Sequence, residues 1–136
     1  MSLKNFAVEG CVFEIYENGS VNPSGNVSVT SLASTNSKVD DKGIYTTLMV
    51  TVAGFTSIDP NHQPWVPLSG ATIVPAQISA SAQHNKIDNL PVVLENDEAK
   101  NVTILGQKQQ GQTTVPEQTI VTIKVKSAGQ SVVKGD

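Results

Sequence analysis

Arginine is absent from this sequence, and positive charge is scarce: 136 residues carry nine lysines against 12 acidic residues, for a net charge of -3. Binding to nucleic-acid phosphates relies on clustered lysine and arginine, so this composition argues against a nucleic-acid partner. Cysteine occurs once, at Cys11, which excludes an intramolecular disulfide framework. Aromatic residues make up only 4% of the chain. A core of small aliphatic side chains is therefore predicted.

Long hydrophobic runs are also lacking. No stretch of 18 apolar residues occurs, so no segment is predicted to cross a bilayer as a helix. The first residues do not combine a basic stretch with the apolar run of a secretory signal peptide. We expect a protein that is made in the cytoplasm without a signal peptide and that leaves the cell, if it does, by another route.

Motifs of the common enzyme classes are missing as well. The sequence contains no phosphate-binding glycine loop, no His-Glu-x-x-His motif and no Gly-x-Ser-x-Gly motif. Adjacent carboxylates occur at Asp40-Asp41 and Asp97-Glu98, where solvated surface is the expected role. We therefore predict that the chain is not an enzyme and has no catalytic residues.

β-Branched residues are abundant, with 18 valines, nine isoleucines and 12 threonines. Such residues favour strands, because their stiff side chains pack well on a pleated surface. Ten glycines and seven prolines are spread along the chain. The composition predicts a single all-β domain over residues 1–136. The predicted strands are 11–16, 26–32, 44–53, 71–80, 90–95, 101–105 and 118–126, with loops at 54–70 and 106–111.

An internal repeat is the most specific feature of the sequence. Residues 38–43 read Lys-Val-Asp-Asp-Lys-Gly, and residues 86–91, which lie 48 positions later, read Lys-Ile-Asp-Asn-Leu-Pro. Asp and Asn favour tight turns, because they cap their own backbone and tolerate a left-handed conformation. A third, partial copy is predicted near the end of the chain, with Val132 equivalent to Lys86. The approximate repeat units are 27–54, 71–105 and 118–136, which indicates pseudo-threefold symmetry.

These units resemble the proline-alanine-alanine-arginine (PAAR) repeat proteins and their PAAR-like relatives. Residues 82–97 look like one such repeat, with Ile-Asp-Asn-Leu-Pro at its turn and Asn96-Asp97 at its end. Residues 34–50 look like an earlier copy, and residues 128–135 resemble the closing segment of PAAR-like proteins. No literal Pro-Ala-Ala-Arg sequence occurs.

The resemblance implies a short cone of small strands with three similar faces. One copy of such a protein caps the trimeric β-helical spike of a contractile injection machine: a type VI secretion system, an extracellular injection particle or a contractile phage tail. The expected role is structural, namely sharpening the spike for membrane puncture, with effector proteins as further partners and only transient contact with the target membrane. The machine would deliver the protein outside the cell.

A zinc ion is held near the apex of many family members by three histidines and one cysteine. This chain offers only Cys11, His62 and His84. Structural zinc sites are nearly always four-coordinate. We therefore expect no metal and no cofactor, with Cys11 as a small buried residue, His62 as an exposed loop residue and His84 as a polar group of a strand or turn.

A β-sandwich or jelly-roll binding module, or a phage decoration or fibre subunit, is the alternative interpretation. Its support is Trp65, which lies among prolines and could stack on a sugar. The more ordinary role for this tryptophan is to anchor its loop against the body of the fold. Repetition at intervals of nearly 50 residues favours the spike tip, because a sandwich does not require it.

Overall fold

The computed structural model describes residues 3–68 and 73–136, and within these ranges the regular structure is strand apart from one short 3-10 helix. The all-β prediction is confirmed. In chain order the elements are β1 (Lys4–Asn5), β2 (Val12–Glu17), β3 (Ser20–Asn22), β4 (Asn26–Val29), β5 (Lys38–Val39), β6 (Lys42–Gly43), β7 (Leu48–Ala53), the 3-10 helix (Pro60–His62), β8 (Trp65–Pro67), β9 (Ile73–Ile78), β10 (Lys86–Ile87), β11 (Leu90–Pro91), β12 (Glu98–Ile104), β13 (Gly106–Gln110), β14 (Thr113–Pro116), β15 (Thr119–Ser127) and β16 (Lys134–Gly135).

Two antiparallel sheets enclose the main core. One has the order β4-β7-β9 and the other the order β12-β15-β2-β3. The side chains of β7 alternate between buried and half-buried, and those of β15 alternate over most of its length, as expected for strands with one face on a core. Val and Ile supply most of the buried positions, and each fully buried side chain of this size stabilises the fold by about 1.5–3 kcal/mol.

The two sheets meet at one edge, where the Ser79 amide donates to the carbonyl of Glu98 over 3.0 Å. Strands β4, β7, β9, β12, β15 and β2 therefore follow one another around the core. At the opposite edge no ladder joins β2 to β4 in the described part of the chain, and a groove lies between them.

Three short antiparallel pairs lie beside these sheets: β5 with β6, β10 with β11, and β1 with β16. They surround a second cluster of buried apolar side chains that includes Phe6, Ile44 and Val92. The sequence does not predict β1, because a two-residue strand has no periodicity to detect.

The predicted loops at 54–70 and 106–111 are wrong in part. The first contains β8, and the second contains β13, which forms a hairpin with β14 and pairs with β8 on its other side. The sequence does not predict β13, because Gly-Gln-Lys-Gln-Gln contains no large apolar residues that alternate with polar ones.

The strand predicted at 90–95 is wrong over most of its length, because only Leu90–Pro91 pairs as a strand. The remaining strand predictions hold with shifted ends, and the strand predicted at 44–53 begins at Leu48. Residues 71–72 of the predicted strand 71–80 lie outside the described residues, and its described part matches β9.

Candidate functional site

The three short strand pairs share one register. Lys38 pairs with Gly43, Lys86 with Pro91 and Lys134 with Asn5. Successive copies of the first strand therefore lie 48 residues apart, and the second strand of the third pair is supplied by β1. The part of the molecule formed by these pairs and the residues directly after β1, β6 and β11 is called the threefold end below.

The turns of the two complete hairpins have the same backbone conformation. Asp40 and Asp41 have φ of 50° and 67°, and Asp88 and Asn89 have φ of 52° and 69°. Two central residues with positive φ define the turn that suits the twist of a two-residue hairpin, and Asp and Asn adopt this conformation more readily than other non-glycine residues. The predicted role of these residues in tight turns is confirmed.

A closed ring of backbone hydrogen bonds joins the three units. The Tyr45 amide donates to the carbonyl of Ala7 over 3.0 Å, and the Val93 amide donates to Tyr45 over 2.9 Å. The Ala7 amide closes the ring by donating to Val93 over 2.8 Å. All three residues are buried, and they occupy equivalent positions in the three units. Three segments of one chain are thus joined in a closed ring at this end.

The structure corrects the predicted equivalence of the third copy. The residue matching Lys38 and Lys86 is Lys134, not Val132, because Lys134 has the same place in its strand pair. The side chains of all three lysines are exposed. The threefold end therefore presents three equivalent positive charges to solvent, one from each unit.

The three residues considered for zinc do not come together. His84 is exposed and lies near the third pair, with its Nδ1 3.4 Å from Oδ1 of Asp136. Cys11 lines the groove between β2 and β4, and its burial raises the pKa of the thiol to about 11. Within residues 3–68 and 73–136, no group of three or more His, Cys, Asp or Glu side chains is placed to hold a metal ion.

His62 lies on the 3-10 helix and faces three carboxylates. Its Nδ1 is 3.9 Å from Glu17, and its Nε2 is 3.7 Å from Asp59 and 3.4 Å from Glu117. The predicted exposed loop position is wrong, because the side chain is only 16% exposed. The sequence gives no sign of this contact, since Glu17 and Glu117 are far from His62 along the chain.

Glu17 is the centre of a buried polar network. Its carboxylate accepts hydrogen bonds from the hydroxyls of Ser57 (2.6 Å) and Thr119 (2.5 Å). It also accepts from the Ile58 amide (2.9 Å) and the Asn22 side chain (3.1 Å). Burial alone raises the pKa of this carboxyl, but the four hydrogen bonds together outweigh burial and lower it.

Ser57 also lies 3.1 Å from Nδ1 of His62. A serine beside a histidine is the arrangement of a nucleophile and its base. Here the serine is 1% exposed and its hydroxyl points at Glu17, so this contact ties the loop to β2.

The predicted surface role of Asp97 is also wrong. Asp97 is 5% exposed, and its carboxylate accepts hydrogen bonds from the backbone amides of Ser81 (3.0 Å) and Leu94 (2.8 Å) and from the Ser81 hydroxyl. It therefore fixes the turn before β12. Asp40 and Asp41 are exposed, as expected.

Trp65 is buried, with 3% of its surface exposed. Its Nε1 donates to the carbonyl of Glu117 over 2.7 Å, and its ring packs edge-on against Phe55 with centroids 6.0 Å apart. The predicted loop anchor is confirmed, and the indole face is not available to stack on a sugar.

Comparisons with known proteins add no relative: no family model matches the chain, and neither a curated protein nor a solved structure shows significant similarity. Within the described residues, the structure also contains no helix with the length and apolar character needed to cross a membrane.

Proposed function

We propose that this chain is a PAAR-like tip protein that caps the trimeric central spike of a contractile injection machine. The observation that carries the proposal is the closed ring formed by Ala7, Tyr45 and Val93, around which one chain repeats the same strand pair three times. The motif resemblance at residues 82–97 supports the same conclusion independently.

Symmetry explains why such a repeat is useful. A trimeric spike ends in a surface with threefold symmetry, and a monomer without that symmetry could satisfy only one of three identical sites. A single chain with three equivalent units matches all three subunits at once. The expected stoichiometry is one copy of this chain per spike trimer.

The threefold end is the surface that we assign to the spike. The exposed side chains of Lys38, Lys86 and Lys134 are equivalent, so each can face the same acidic group of a different spike subunit. Exposed ion pairs contribute little individually, but three matched pairs fix the orientation of the cap and speed its encounter with the trimer.

The action of the protein is mechanical under this proposal. A rigid, narrow tip concentrates the force of sheath contraction on a small area of the target membrane. The buried aliphatic core and the hydrogen bonds between the three units suit such a load, because they link segments distant in sequence. Delivery by the machine requires no signal peptide, and effector proteins are further candidate partners.

Stoichiometry tests the proposal directly. The purified chain and a trimeric spike protein encoded by a neighbouring gene are mixed and analysed by light scattering after gel filtration. We expect a monomer that forms a complex with one copy per spike trimer. A stable self-trimer, or no complex, would contradict the proposal and favour a β-sandwich or jelly-roll binding module.

Charge reversal then tests the assigned surface. The triple variant Lys38→Glu, Lys86→Glu and Lys134→Glu should weaken spike binding at least about tenfold, which corresponds to about 1.4 kcal/mol. The matched control reverses Lys100, Lys108 and Lys124, which carry the same total charge outside the threefold end. Equal loss in both variants would argue for general charge attraction instead of a specific contact.

A further inference from the structure

The groove between β2 and β4 breaks the pseudo-threefold symmetry. Its volume is about 740 Å³, and it is lined by residues of β2, β3, β4 and the turns beside them. Valine side chains are exposed along it: Val12 is 54%, Val21 45% and Val29 36% exposed. We refer to it as the β2–β4 groove.

The β4 wall of the groove is an open strand edge. The Thr30 amide donates to the carbonyl of Met49 on the side of β7. In an antiparallel pair the backbone groups of successive residues point alternately toward and away from the partner strand. The amides and carbonyls of Val27 and Val29 therefore point away from β7, into the groove.

The β2 wall is open over its first half. The backbone of Val125 points toward the segment that leads into β12. Its amide donates to the carbonyl of Asp97 over 2.9 Å, and its carbonyl accepts from the amide of Asn96 over 2.9 Å. Its opposite residue, Phe13, therefore turns its amide and carbonyl away from β15 and toward the groove. Strand β3 pairs only with Ile15–Glu17 and leaves Phe13 uncovered.

The two positions in the molecule that correspond to the β2–β4 groove contain no groove, because a strand ladder fills each of them. Strand β7 pairs directly with β9 from Leu48 to Ala53, and β12 pairs directly with β15. Only the third place, between β2 and β4, has no ladder among the described residues. An unpaired strand edge beside apolar side chains is a template for one more strand.

The charge of the groove indicates what kind of strand fits. Glu9 and Glu14 are the charged side chains in its lining, and no lysine or histidine lies among the lining residues. Glu14 already pairs with Lys126 over 3.5 Å, whereas Glu9 forms no ion pair within the described residues, so Glu9 supplies the uncompensated negative charge. A second copy of this chain would bring like charges together at the groove, whereas a basic segment would complement them.

We propose that the β2–β4 groove binds an extended segment of another protein, which adds as a β-strand along β4. The apolar side chains of that segment would lie on the core-facing side next to Val27 and Val29, which are opposite the buried Val52 and Val50, and a lysine or arginine side chain would face Glu9. This inference concerns a second partner and holds whether or not the chain caps a spike.

The test uses a synthetic nine-residue peptide, capped at both ends, in which valine alternates with lysine and threonine. It is titrated to about 1 mM into the ¹⁵N-labelled full chain, with backbone amides followed by NMR. We expect the amide signals of Val27, Val29 and Phe13 to shift most. A peptide with glutamate in place of lysine, and one with methylated backbone amides, should each bind at least about tenfold more weakly.

A proline substitution locates the binding edge. Val29→Pro removes an amide that points into the groove and no bond of the β4–β7 ladder, so the fold should persist while peptide affinity falls at least about tenfold. Thr114→Pro is the matched control. The Glu117 amide donates to the carbonyl of Gly106, so the backbone of Glu117 points toward β13. By the same alternation, the amide of Thr114 points away from β13, at the open edge of β14.

Three results would overturn the inference. One is the absence of any amide shift at about 1 mM peptide. Another is equal affinity in Val29→Pro and wild type. The third is self-association of the chain that Val29→Pro abolishes, since this would assign the edge to a second copy.

Discussion

Glu17 shows at the scale of one residue how a buried charge is retained. Replacing it with glutamine keeps the size but places an amide group against hydroxyl and amide donors, so at least one buried donor loses its acceptor. We expect Glu17→Gln to lower the free energy of unfolding at pH 7 by about 1–3 kcal/mol, measured by chemical denaturation. An unchanged stability would mean that the network contributes nothing beyond packing.

The pH dependence of stability follows from the same residue. The pKa of Glu17 is lower in the folded chain than its ordinary value of 4.5. Its contribution to stability is therefore fully present above that ordinary value, and it is lost as the pH falls through the lower, folded value. Denaturation curves between pH 7 and pH 3 should show this loss in wild type, and a smaller loss in Glu17→Gln.

Gly106 is required by its contact with Trp65. A Cβ added at this glycine would lie 2.1 Å from Cζ2 of the indole ring. We expect Gly106→Ala to displace the ring and to cost about 1–3 kcal/mol of stability, as overpacking does. Because Trp65 is the only tryptophan, its fluorescence emission reports the displacement. Gln107→Ala, at the next position of the same strand, is the control and should leave the emission unchanged.

Individual residues were predictable where local chemistry decides their role. The prolines around Trp65 predict its role as an anchor, and the Asp and Asn residues of the turns are predictable as turn formers from their own chemistry. Asp97 and His62 were not, because their burial depends on partners such as Ser81 and Glu117 that tertiary packing brings close.

Among the elements, the two hairpin turns offer the clearest test. Asn89 holds a left-handed backbone with φ of 69°. We expect Asn89→Ala to destabilise the fold by about 1–2 kcal/mol, because a Cβ without a polar group disfavours that conformation. Asn89→Gly serves as the control and should be neutral or stabilising by chemical denaturation. Equal loss in both variants would indicate that the asparagine side chain, not the backbone, matters.

Strands were predictable when their own sequence alternates. Strand β15 shows the alternation plainly, since Val121, Ile123 and Val125 are buried and the residues between them are only half-buried. Strands β1 and β16 contain two residues each and pair across nearly the whole chain. Nothing local distinguishes them, so only the tertiary structure reveals that pair.

At the scale of the whole molecule, the third strand pair, β1 with β16, has the register of a hairpin whose two turn residues are not joined by a peptide bond. In register, Asp136 and Leu3 occupy the two turn positions held by Asp88 and Asn89 in the second hairpin. Joining Asp136 directly to residue 3, with Leu3→Gly for the positive φ, should therefore complete the hairpin.

A circular permutant tests this arrangement. With the third turn joined and the chain opened between Asp88 and Asn89, we expect cooperative unfolding within about 5 °C of wild type by circular dichroism. The control permutant is opened between Val50 and Thr51 in the centre of β7 and should fail to fold. Failure of the first permutant alone would contradict the equivalence of the three turns.

The shared register of the three short strand pairs was only partly predictable. Two copies are visible in the sequence because their turns share Asp-Asp and Asp-Asn. The third copy has its turn residues at positions 136 and 3, so a reading along the chain cannot recognise them as neighbours. The predicted equivalence of Val132 with Lys86 failed for this reason.

The pairing of β1 with β16 also has a consequence for protein synthesis. The ribosome makes β1 about 130 residues before its partner, an interval on the order of ten seconds. Until then the threefold end lacks one of its three strand pairs. Strand β2 likewise cannot form its ladder until β15 has been synthesised. A chain truncated before β16 therefore never acquires the complete threefold end, because β1 then has no partner strand.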